Sequence, residues 1–220
     1  SKNKKFEVLN FGVNGYGTVQ ELEVLKVKAL KFHPDMVIIA YAMNDPLYSD
    51  TIIDYFKQTE ERKQNMCKVQ SINLRLPCWL ISSIDNTKTA KFVYSAWINI
   101  KARFKEDFFI ELYKSMKWEP VAESLQEIGI IAKKNDIRLV MVIFPILKNF
   151  EDYKWEYVHL KVSEEAAQND FIVIDLLDNY KGYKEEELKI TKTDFWHPNK
   201  LGHQIAADVI YEKLINLRVI

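Results

Sequence analysis

Four things are scarce in this 220-residue chain: net charge, long apolar runs, cysteine and glycine. The 31 basic side chains are matched by 31 acidic ones, so nothing in the overall balance attracts a phosphate backbone or an anionic lipid surface, and no local patch in the linear order replaces it. The apolar run Met36 to Ala42 has seven residues, far short of a membrane span. The lysine-rich start, Ser1 to Lys5, has no signal-peptide core behind it. Two cysteines, Cys67 and Cys78, do not make a disulfide framework; buried or free thiols account for them better than a single bridge does, and the redox compartment stays open. With 48% apolar residues the chain can bury a full core, and it reads as one soluble domain.

Glycine is the informative shortage. Of six glycines, three fall within six consecutive positions, Gly12, Gly15 and Gly17. Glycine is costly except where backbone turns sharply or approaches something closely, so this cluster marks a special loop.

Around that loop the pattern is strand, loop, helix. Phe6 to Phe11 alternates apolar and polar residues, and Thr18 can cap a helix that follows with Leu22, Leu25 and Ala29 on one face. His33-Pro34-Asp35 ends that helix. Met36 to Ala42 then reads as a strand covered on both faces. A helix from about Pro120 to Lys134 leads into a second doubly buried strand, Ile137 to Phe144, ended by Pro145. Next come a helix from about Tyr153 to Gln168, a strand Phe171 to Leu176, and a helix after Pro198 with Leu201, Ile205, Val209 and Leu214 at helical spacing. Such alternation implies an α/β fold on a parallel sheet with right-handed crossovers. The stretch from about 47 to 117 breaks the rhythm and is expected to be a helical cap or insertion within a single domain, 1–220. Its Trp79, Tyr94, Trp97, Arg103 and Phe104 suit either cap packing or a pocket for sugars and acyl chains.

In open parallel sheets ligands bind beyond the carboxyl ends of the strands, which singles out three loops: 10–18, 42–45 and 194–199. Asp194 and His197 lie three apart in a segment broken by Pro198, so the carboxylate can reach the imidazole and fix its tautomer, as a general base requires. A capped helix start with an incidental histidine has the same spacing, with Asn199 as the cap. Asn44 can aim a side-chain amide, and Gly15 a backbone N–H, at one point, as an oxyanion hole requires; both types are also common turn residues. His33, His159 and His203 look structural, and no spacing suggests a metal site.

Together these loops resemble the SGNH hydrolases, also called GDSL esterases and lipases, over nearly the whole chain from Val8 to Leu214. By that resemblance Gly15 and Asn44 match the glycine and asparagine blocks that supply the oxyanion donors. Asp194 and His197 match the D-x-x-H block, with Pro198-Asn199 and Gly202-His203 also typical. The resemblance implies a three-layer α/β/α, flavodoxin-like fold, acyl-ester hydrolysis without cofactor or metal, and a small-molecule or carbohydrate ester as substrate. Ala42 stands where the asparagine block usually begins with glycine, a departure expected to alter packing more than chemistry. The larger departure is the nucleophile. The family carries its serine in a G-D-S loop well upstream of the glycine block, whereas only 14 residues precede Gly15, and none of the serines present has that setting. The expectation is therefore an upstream strand and serine in the natural protein, the strand lying between Phe6–Phe11 and Met36–Ala42. A non-catalytic binding or scaffold module of the same fold is the alternative. Reading Gly12-x-x-Gly15-x-Gly17 as a dinucleotide loop is disfavoured by its reversed glycine order and the absence of a ribose-binding acid at the usual spacing.

Overall fold

The computed structural model describes residues 6–47, 108–115 and 117–218. Helix α1 spans Thr18–Val27, followed by a 3-10 turn at Ala29–Phe32 and strand β1 at Met36–Ala42. After the 3-10 turn Asp45–Leu47 come α2, Phe108–Lys114; α3, Glu119–Asn135; and β2, Arg138–Phe144. Then follow α4, Glu156–Gln168; β3, Phe171–Asp175; the short α5, Leu177–Lys181, and α6, Glu185–Leu188; and α7, Lys200–Asn216.

Among the described residues the sheet has three parallel strands in the order β1-β2-β3. Ala42 pairs with Phe144 and Ile143 with Asp175, so all three carboxyl ends lie along one edge. Central β2 is the doubly covered strand its composition predicts: Leu139 to Ile143 are all buried. Helices flank the sheet, with α1 packed on α3 and α4 on β3. Leu22, Leu25 and Ala29 are buried as their spacing predicts. The α/β class and parallel sheet expected from the strand–helix alternation are present.

Three expectations need correction. Phe6 to Phe11 is not a strand: residues 6–10 are exposed and belong to no regular element, and only Phe11 reaches the core, its ring 5.7 Å from that of Phe32. Alternation creates a strand only where a neighbour takes up its N–H and C=O groups; without a ladder, water satisfies them better. Nor is β1 covered on both faces: Ile39 and Tyr41 are buried, whereas Ala40 is exposed and Ile38 is 48% exposed, because alternate side chains point to opposite faces and only one of them meets the core. Third, Thr18 does not cap α1. Gly17 occupies that position and its N–H is taken by Gln20 Oε1 at 2.9 Å, which releases the Thr18 hydroxyl for another bond. Of the proposed cap segment, 48–107 lies outside the described residues, together with Cys67, Cys78, Trp79, Tyr94, Trp97, Arg103 and Phe104.

Candidate active site

The segment between α6 and α7 is built around two side chains. Asn199 is the cap of α7: its Oδ1 accepts from the N–H of Leu201 at 2.9 Å and of Gly202 at 3.2 Å, satisfying donors that a helix start otherwise leaves open. Its Nδ2 donates to the carbonyls of Glu187 and Lys189, and its own N–H donates to Leu188 O. Pro198 bridges to Lys189. Gly202 is required at close quarters, since a Cβ there would lie 2.7 Å from Pro198 Cβ.

Asp194 organises the preceding turn. Its Oδ1 accepts from the N–H groups of Trp196 and His197 at 2.9 and 3.0 Å, and its Oδ2 lies 2.9 Å from His197 Nδ1. Burial works to raise the Asp194 pKa, but these backbone bonds and the imidazole outweigh it and hold the carboxyl below its ordinary value. A carboxylate on Nδ1 puts the ring proton there and leaves Nε2 as the acceptor. The His197 side chain is 68% exposed, so that nitrogen is open to an incoming hydroxyl.

A second Asp–His pair offers the instructive contrast. His159 Nδ1 lies 2.8 Å from Asp175, but its Nε2 is 2.9 Å from the hydroxyl of Tyr153 and the side chain is 3% exposed. Its acceptor is already used. His159 is structural, as expected, and His203 is exposed on α7.

The other two loops lie together beyond the carboxyl end of β1. Gly15 sits in an exposed turn with φ +79°, a left-handed conformation that favours glycine, closed by the Tyr16 N–H on Val13 O. Asn44 is half-buried, two residues past the end of β1. These loops are fastened by a contact the sequence does not reveal: the Thr18 hydroxyl donates to Asp45 Oδ2 at 2.8 Å in the interior. The histidine loop is fastened to the end of β2, where the Leu147 N–H donates to Phe195 O at 2.9 Å. Trp196 adds an edge-on contact with Phe109 of α2, their rings 5.0 Å apart, and α2 packs on the Asp45–Leu47 turn. Gly15, Asn44 and the Asp194–His197 pair thus stand on loops anchored to neighbouring strand ends.

Comparison with protein families matches residues 1–205 to the GDSL-like Lipase/Acylhydrolase family. The chain belongs to that family. As a GDSL-like acylhydrolase it is of the SGNH type, a hydrolase class whose substrates are small-molecule esters, and the parallel sheet with flanking helices agrees with that fold. No curated protein and no solved structure matches it. Among the described residues of this acylhydrolase no helix is long and apolar enough to cross a membrane, and no three metal-ligating side chains cluster.

Proposed function

We propose that this protein hydrolyses acyl esters through a covalent acyl-enzyme, with His197 as general base, Asp194 as the group that orients it, and Gly15 N–H and the Asn44 amide as oxyanion donors. His197 Nε2 takes the proton of the attacking hydroxyl as its oxygen bonds to the carbonyl carbon, while the two donors receive the negative charge that grows on the carbonyl oxygen. Collapse of this adduct breaks the bond to the alcohol, and His197 returns the proton to the departing alkoxide; water deprotonated by His197 then cleaves the acyl-enzyme, freeing the carboxylic acid and restoring the hydroxyl. The observation that carries this reading is the 2.9 Å Asp194–His197 contact with an exposed imidazole, in a chain of acylhydrolase type.

None of the serines within 1–220 is assigned as nucleophile. Ser115 and Ser124 give their hydroxyls to backbone carbonyls of their own helical turns, and Ser163 lies within α4. Ser1, Ser49, Ser71, Ser82, Ser83 and Ser95 lie outside the described residues, and none of them stands in a G-D-S triplet. Residues 1–220 on their own are therefore expected to turn esters over hardly at all. A small acyl group on a polar carrier, such as an O-acetylated carbohydrate, suits the absence of a long greasy segment. The test is hydrolysis of 4-nitrophenyl acetate by the natural protein at full length, beside His197→Ala. Loss of turnover is expected; an unchanged rate would overturn the assignment.

A further inference from the structure

One buried hydroxyl reaches the carboxyl ends of all three described strands. Tyr153 lies just before α4, and its oxygen accepts from the Ile146 N–H at 3.0 Å, two residues past β2. The sulfur of Met43, one residue past β1, is 3.8 Å from the same oxygen. On the third side lies His159 Nε2 at 2.9 Å, and Nδ1 of that ring is 2.8 Å from both carboxylate oxygens of Asp175, the last residue of β3. Tyr153, Met43, Ile146 and His159 are all buried.

We propose that Tyr153 is a positioning residue for the hydrolase, its hydroxyl holding the strand end that carries Asn44 against the one that anchors the histidine loop. The proposal rests on the ester-hydrolase reading and adds to it a residue that touches neither substrate nor dyad. Its first support is connectivity. Met43 is followed by Asn44, the proposed oxyanion amide. Ile146 is followed by Leu147, whose N–H donates to Phe195 O at 2.9 Å, and Phe195 stands between Asp194 and His197. The second support is where the sheet stops. The ladder between β1 and β2 ends at Ala42 and Phe144, and Met43 and Ile146 lie just beyond it. A phenylalanine ring would fill the same core space; the hydroxyl adds a fixed point between two segments that have left the ladder. The third is direction. Asp175 on Nδ1 places the His159 ring proton there, so Tyr153 donates to Nε2 and its oxygen keeps lone pairs for the Ile146 N–H. Turning the hydroxyl away would leave a buried donor and a buried acceptor unpaired. Burial pushes the Tyr153 pKa far up, so the hydroxyl keeps its proton at neutral pH. The ring itself is held edge-on by Trp155 and His159, at 5.3 and 5.5 Å.

The test is Tyr153→Phe in the natural protein at full length, with 4-nitrophenyl acetate as substrate, beside Ile137→Ala as a stability control. Ile137 is buried immediately before β2, at the opposite end of the sheet from the site, so its truncation opens a cavity far from the strand ends in question. Both variants are assayed well below their melting temperatures. Tyr153→Phe is expected to lower kcat about 10- to 100-fold with KM little changed, since misplacing reacting groups by about 1 Å costs on the order of 100-fold. Ile137→Ala should keep the parent kcat. In NMR spectra the Asn44 side-chain amide and the His197 ring signals should move together in Tyr153→Phe and stay in place in Ile137→Ala. In the parent protein the Ile146 and Leu147 N–H groups should exchange with solvent as slowly as those of β2. An unchanged kcat in folded Tyr153→Phe, an equal loss in Ile137→Ala, signal shifts confined to the surroundings of residue 153, or fast exchange at Ile146 and Leu147 would each overturn the proposal. Absence of ester turnover in the parent, with both sets of signals still moved by Tyr153→Phe, would instead refute the ester-hydrolase reading and leave the tie between the two loops standing.

Discussion

Thr18 and Asp45, 27 residues apart, are joined in the interior by a 2.8 Å hydrogen bond that locks the glycine loop to the turn carrying Asn44. It is the contact on which the proposed oxyanion geometry most depends, and neither residue touches substrate in the mechanism. Thr18→Val keeps the shape and removes the donor, leaving a buried carboxyl short of one partner. A loss of about 1–3 kcal/mol of stability is expected, and turnover should fall while KM changes little. Denaturant melts and steady-state kinetics would check both; unaffected turnover would show that the two loops hold their places independently.

Asp45 also has an acidic neighbour. Burial, and then the charge of Asp45, push Glu21 up to about 8, and burial lifts Asp45 to about 7 despite bonds from Thr18 and the Ala42 backbone. Glu21 Oε2 is buried without a hydrogen-bond partner. In the unfolded chain both groups release their protons near their ordinary values of 4.5 and 3.8. From about pH 4 to pH 7–8 the native state therefore holds protons that the unfolded state has lost, and stability must fall as pH rises through that window. Glu21→Gln removes one of the two ionisations. Its melting temperature should decline less than the parent's between pH 5 and 8, by up to about 1.4 kcal/mol per pH unit in the underlying slope. Parallel pH profiles would refute the buried-acid pair.

For the dyad the sizes are large. In the natural protein at full length, His197→Ala should lower kcat on the order of 10⁴- to 10⁶-fold, and Asp194→Asn about 10⁴-fold through the wrong imidazole tautomer. His159→Ala should instead act on stability. Single-turnover ester assays beside thermal melts separate the two kinds of effect, and a kcat defect in folded His159→Ala equal to that of His197→Ala would mean the wrong pair was chosen.

Two glycines make opposite demands. At Gly15 a Cβ meets nothing within 4 Å, so Gly15→Ala costs only the left-handed backbone strain, about 1–2 kcal/mol. At Gly202 the backbone is helical but a Cβ collides with Pro198, next to His197. Gly202→Ala should cost about 1–3 kcal/mol from overpacking and shift the His197 ring signals in an NMR spectrum, which Gly15→Ala should leave in place.

Tyr153→Phe tests the interior beneath the loops. The hydroxyl lies 2.9 Å from His159 Nε2 and 3.0 Å from the N–H of Ile146, so its removal strands two buried polar groups. A loss of about 1–3 kcal/mol follows, or about 2–4 °C in Tm for each kcal/mol in a chain of this size. Tyr153→Ala should be worse, since the ring also meets Trp155 edge-on.

What the sequence made legible was what depends on near neighbours. Asp194 and His197 are three residues apart, and Asn199 caps the helix that begins at the next residue; such contacts are written in local spacing. β2 and β3 were readable because a short apolar run set between two helical patterns is too brief for a helix and too apolar for a loop. Phe6–Phe11 misled because alternation specifies a face without supplying a neighbour, and Met36–Ala42 misled because an apolar run looks the same whether one face or two are covered. Thr18–Asp45 and Tyr153–Met43 join distant segments, and no periodicity announces them.

Asn199 commits its oxygen to one structure and its nitrogen to another, which gives the loop a chemical lifespan. Slow deamidation to aspartate would leave the helix cap intact, since a carboxylate serves there equally well. It would also turn a donor into an acceptor opposite the Glu187 and Lys189 carbonyls, so an ageing sample would keep its helix content while the strap beside His197 came undone.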